Sequence, residues 1–112
     1  MDFCYYYDMT NIQTFMTQEF IQKNVLPSNF TYGKAIYERN GIEIIEQRPD
    51  FVEAWAGGLD GTVKEGAGGR RRVAFTIQNE MLHWNCTGNP RNHQIFCKHC
   101  VAVALFLIAQ YS

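Results

Sequence analysis

Hydrophobic positions change their spacing along this chain, and each change marks a different kind of element. Ile12, Phe15, Met16 and Phe20 recur at three- and four-residue intervals, which puts them on one face of a helix over residues 11–24. Thr10-x-x-Gln13 has the form of a capping box at its start, and Pro27 with Ser28-Asn29 ends it. From Tyr32 the pattern is that of strands. It predicts one over residues 32–38, then a tight hairpin turn at Asn40-Gly41, because Asn-Gly readily takes the left-handed backbone such a turn needs. Ile42, Ile44 and Ile45 mark the returning strand, Pro49-Asp50 a turn, and residues 51–56 a third strand. In residues 70–77, Val73, Phe75 and Ile77 alternate onto one face; Asn79-Glu80 then turns the chain into a last strand over 81–86. The first nine residues, with three tyrosines and Phe3, read as an extended arm or short strand.

A helix over 98–110 closes the chain, and it is apolar without a break from Cys100 to Ala109. Ala102, Val103 and Phe106 share helical spacing, as do Val101, Leu105 and Ile108, so two faces are apolar at once. A helix hydrophobic all round is buried all round, and one small sheet covers only one side. The second cover is the N-terminal helix, a neighbouring domain or a second copy, and the abrupt end at Tyr111-Ser112 favours an external one. The expected architecture is α+β: a small antiparallel sheet of hairpins, a zinc-finger-like turn and a C-terminal helix, preceded by an N-terminal helix. The expected division is an arm and helix over 1–28 and one domain over 29–112. Between residues 57 and 69 six glycines mark a flexible connection tolerant of insertion.

At 112 residues there is room for one modest core, and 46% hydrophobic with 14% aromatic residues fits a folded chain. The ten-residue apolar run is too short to span a bilayer, and the N-terminus has no basic region or small-residue cleavage site of a signal peptide. Four cysteines in that setting point to thiols or metal ligands in a reducing, cytoplasmic compartment rather than disulfides. Charge is uneven within a net of −1. Residues 1–65 carry ten acids and five bases, whereas residues 66–112 carry Arg70, Arg71, Arg72, Arg91 and Lys98 against Glu80 alone. That is a mild pointer to an anionic partner.

The basic half also holds the candidate chemistry. Residues 84–105 contain three of the four cysteines and two of the three histidines. Cys97-Lys98-His99 presents a thiolate and an imidazole together, and Cys86 lies eleven residues earlier, the look of a structural zinc site. On Trp84, Cys86, the tetrad Phe96-Cys97-Lys98-His99 and the tail from Cys100 to Leu105, the segment resembles a SWIM zinc finger. That family's pattern is C-x-C, a variable gap, then C-x-H leading into a helix. Tyr32-Gly33-Lys34-Ala35-Ile36-Tyr37 is similar to the glycine-and-tyrosine strand that opens many such domains, which extends the likeness over residues 30–108. The departure is Gly88, where the family has its second cysteine. The resemblance implies a Zn2+ site and an accessory domain of the kind found in Swi/Snf-type helicase-like ATPases and transposases. Such domains are proposed to bind DNA or proteins.

Cys86, Cys97 and His99 supply three ligands, and four outcomes stand open for the fourth. His93 lies in the intervening loop and can swing inward; it is favoured on ligand preference, level with a water-completed or metal-free site. Cys100 adjoins His99, but at the helix start its side chain should point into the core as a small apolar residue would. His83 is one residue off the face of Trp84 and Cys86 and should point away. Catalysis is not expected, since a hydrolytic zinc needs an acid or base beside its water and residues 84–112 contain no Asp or Glu. Two function classes remain. Arg70, Arg71, Arg72, Arg91 and Lys98 could contact nucleic-acid phosphates, or the chain docks onto a protein or neighbouring domain that covers the 98–110 helix.

Overall fold

The computed structural model describes residues 10–57, 70–87 and 96–111. Strand-forming alternation dominates the middle of the chain. It builds β1 (Ile42–Arg48), β2 (Phe51–Gly57), β3 (Arg70–Gln78) and β4 (Met81–Cys86), an antiparallel meander in the order β1-β2-β3-β4. Alternate residues Val52, Ala54 and Ala56 of β2, Val73 and Phe75 of β3, and Leu82 and Cys86 of β4 are buried on one face. Gln78 pairs with Met81 across a two-residue turn in which Asn79 and Glu80 are both left-handed (φ 53° and 61°), the backbone that matches strand twist. Ile45 is the extra residue of a bulge in β1, where the register against β2 shifts between Ile44 and Glu46.

Across the buried face lies α3 (Lys98–Tyr111), with Cys100 to Leu105 and Leu107 all buried. Its far side is covered from within the chain. A short 3-10 helix (Ile12–Phe15), α1 (Gln18–Asn24) and above all α2 (Pro27–Glu38) pack against it. Ile12, Met16 and Ile21 join the same core as the sheet, with Phe15 and Phe20 packed on its edge. Residue 28 therefore falls in the first turn of α2, and residues on both sides of it share one core. α3 opens to solvent only at its two ends, at Lys98 and at Ala109 and Gln110.

Three sequence expectations are corrected. Residues 32–38 are helical, not a strand. Pro27 occupies the first turn, where its fixed φ and missing N–H are no handicap, and the helix runs to Glu38. Asn40-Gly41 is this helix's C-terminal stop and not a hairpin turn. Asn40 is left-handed (φ 59°), and the N–H groups of Asn40 and Gly41 donate to the carbonyls of Tyr37 and Ile36, both at 3.0 Å. Asn-Gly serves either purpose because both need a left-handed residue. The N-terminal helix is likewise broken. Asn11, not Thr10, caps the 3-10 turn by accepting from Gln13 N–H (2.9 Å), and Thr17, in extended backbone, caps α1 by accepting from Phe20 N–H (3.1 Å).

Gly33 sets the distance between α2 and α3. A Cβ built there would lie 2.5 Å from the Val101 Cβ and 2.6 Å from the Lys98 carbonyl oxygen. Gly33→Ala gains roughly 0.5–1 kcal/mol of helix propensity but forces two packed backbones apart, at a cost of roughly 1–3 kcal/mol. The clash should win. A lowered denaturant midpoint for Gly33→Ala is expected, and a raised one would mean that this helix crossing is looser than its geometry implies.

Candidate metal centre

The site begins where β4 ends. Strand alternation turns Leu82, Trp84 and Cys86 inward and leaves His83 and Asn85 exposed, so His83 faces away from the site as its register requires. Thr87 fastens the strand end to β3: its N–H donates to the Arg72 carbonyl, and its hydroxyl accepts from Arg72 N–H, both at 3.0 Å. The second half of the site is held by Phe96, which is fully buried. Its ring stacks on Phe75 (centroids 5.6 Å apart) and meets Trp84 and Phe20 edge-on at 5.1 and 5.9 Å. With Phe96 driven into the core, the next residue has little freedom. The Cys97 carbonyl accepts from Val101 N–H (2.9 Å), which makes Cys97 the residue from which α3 springs.

Cys86, Cys97 and His99 converge. Their ligand atoms all lie within 4.8 Å of one another, with Cys86 and Cys97 buried and His99 half-buried. His99 Nδ1 is 3.7 Å from Cys86 Sγ and 4.0 Å from Cys97 Sγ. A tetrahedral ion with bonds of about 2.3 Å to sulfur and about 2.0 Å to nitrogen holds neighbouring ligand atoms about 3.5–3.8 Å apart. The three groups are thus already close to the spacing a metal imposes, and they lie close enough to hold one. Cys100 is fully buried, as expected for a core position, and its sulfur sits 3.8 Å from that of Cys97.

Electrostatics favour a thiolate at Cys97. The Cys100 and Cys86 thiols, with His99 and the Cys100 N–H, hold the Cys97 thiol far below its ordinary range, outweighing burial. The same contacts act oppositely on Cys100, whose thiol is pushed well up by Cys86, by Cys97 and by burial. One ionised sulfur among hydrogen-bond donors is a ready cation ligand. Gly88, His93 and Arg91 lie outside the described residues.

Comparison of the chain with protein-family models, curated proteins and solved structures returned no match. No relative lends a role to any residue. What the site does rests on its own geometry.

The basic residues do not gather into one surface among the described residues. Arg70 and Arg72 lie on the outer face of the sheet against Trp55, their guanidinium carbons 5.5 and 5.0 Å from its ring centroid. Arg70 also pairs with Glu43 (2.7 Å), and Arg72 with Glu53 (3.7 Å). Arg71 alternates to the opposite face, and Lys98 extends over the Tyr32 ring (5.7 Å) beside α2. Trp55, Glu43 and Glu53 were not singled out in the sequence, although their places on the polar rungs of β1 and β2 were the available signal. Only 12% of the Arg70 side chain is exposed, so its charge is built into the sheet. Arg70→Glu should therefore destabilise the fold by roughly 1–2 kcal/mol through loss of the Trp55 contact and repulsion from Glu43. Thermal melts check this, and a melt unchanged from wild type would return Arg70 to the surface.

Proposed function

We propose that this chain is a non-catalytic, zinc-binding module of the SWIM type, in which the ion ties the end of β4 to the start of α3 and the folded surface serves contact with a partner. The convergence of Cys86, Cys97 and His99 at metal-ligand spacing carries the reading. Two thiols and an imidazole at tetrahedral spacing are a donor set suited to zinc, whereas carboxylates and carbonyls would suit magnesium or calcium. The likeness of residues 84–105 to a SWIM finger supports the same ion.

One observation supports a structural role for the ion. Residues 84–112 contain no Asp or Glu to serve as a base beside a metal-bound water. For the partner, a protein or neighbouring domain is favoured over DNA. Arg70 and Arg72 are engaged with glutamates and Trp55, which leaves Arg71, Arg91 and Lys98 as the bases a phosphate backbone would use.

Protein purified without a polyhistidine tag should carry close to one equivalent of zinc, and a strong chelator should lower its melting temperature, because metal binding to the folded state adds to folding free energy. Metal-free preparations with a melt indifferent to chelator would sink this reading. For the partner, docking onto protein should survive a rise in salt from roughly 50 to 200 mM, a change that costs a phosphate-bound complex orders of magnitude in affinity. Retention on DNA that collapses over the same range would reinstate nucleic acid.

A further inference from the structure

We propose that Cys100 is the fourth metal ligand, so that the ion is held by a closed set of three sulfurs and one nitrogen from Cys86, Cys97, His99 and Cys100. This rests on the zinc reading above and replaces the loop residue His93 that the sequence favoured. The argument is one of edges. Four ligands around one ion define six ligand–ligand distances, and the described residues place three at contact range and a fourth close by. Cys86 to His99 is 3.7 Å, Cys97 to His99 is 4.0 Å and Cys97 to Cys100 is 3.8 Å. Cys86 and Cys97 lie within 4.8 Å of each other. Cys100 falls outside the set whose ligand atoms all lie within 4.8 Å, so ligation requires its side chain to turn toward Cys86 and His99.

Local sequence agrees. Cys97-x-x-Cys100 has the two-residue spacer common between cysteines that share a structural zinc. Cys100 also stands in for the ligand that the family pattern would place at Gly88. The plain alternative is that Cys100 is a small apolar core residue. It accounts for the burial, but not for a sulfur held 3.8 Å from the Cys97 sulfur, the spacing of two thiolates on one ion. A fourth protein ligand leaves no coordination position for water, which makes the site structural.

X-ray absorption at the zinc edge of the full chain, purified untagged and zinc-loaded, reads the donor set directly. Three sulfurs and one nitrogen are expected. Two sulfurs with two nitrogens would overturn the proposal in favour of His93, and two sulfurs with one nitrogen and an oxygen would overturn it in favour of water. Failure to retain zinc at all would remove the zinc reading itself, and is recognised separately from the metal content. Cys100→Ala then assigns the third sulfur. It should lower the sulfur count to two and weaken zinc binding by more than roughly a hundredfold, the upper end of what loss of an outer-shell partner costs. In the cobalt-substituted variant, sulfur-to-metal charge-transfer absorption should fall to about two-thirds of wild type, as one of three thiolates is lost. A sulfur count that stays at three in Cys100→Ala would place the third sulfur on Cys4, and would overturn the proposal.

Discussion

The all-round apolar surface of α3 is the constraint that the rest of the structure answers. From Cys100 to Leu105 every residue is buried, a pattern no single sheet can produce. β2, β3 and β4 cover one side, and α2 with the N-terminal turns covers the other. That second cover works only because the α2 residue nearest α3 is glycine. At Gly33 the two helices approach until Val101 and the Lys98 carbonyl leave no space for a methyl group. The helix is thus held between two layers supplied by its own chain, which removes the reason for supposing that an outside domain must cover it.

Burial also explains why the cysteines meet. Nothing in Cys97 itself directs it toward Cys86. The fully buried Phe96, seated among Phe75, Trp84 and Phe20, fixes where the chain re-enters the core, and the start of α3 follows from that. The Thr87–Arg72 hydrogen bonds do the same for the end of β4. The ligand atoms are brought together by hydrophobic and backbone forces acting on their neighbours. Stability from the fold and geometry at the site therefore have a common origin.

Much of this was legible in the sequence where the signals were regular. Val73, Phe75 and the residues of β4 alternate plainly, and the last helix announces itself through unbroken hydrophobicity. The convergence of Cys86, Cys97 and His99 followed from their types and spacing. α2 was not legible for a physical reason. Tyr32, Ile36 and Tyr37 suit a strand locally, and the signals for a helix there are Pro27 at its start and a glycine whose purpose is a contact with a distant segment. Asn40-Gly41 marks a left-handed residue but not which element it terminates. The pairing of Arg70 and Arg72 with Glu43, Glu53 and Trp55 depends on strand register across three strands, which no local window contains.

The bulge at Ile45 bears on how copies of the chain behave when crowded together. Among the described residues β1 is an edge of the sheet, and an edge strand offers unpaired backbone groups to any passing strand. The extra residue interrupts its regular pleat, and Glu43, Glu46 and Arg48 place charges along the same strand. An incoming strand would meet a broken ladder with charges on either side. Ile45 itself is left substantially exposed, a large hydrophobic side chain in the position where self-association would begin. The irregularity that costs the strand some pairing thus guards it against growing into a longer sheet with its neighbours.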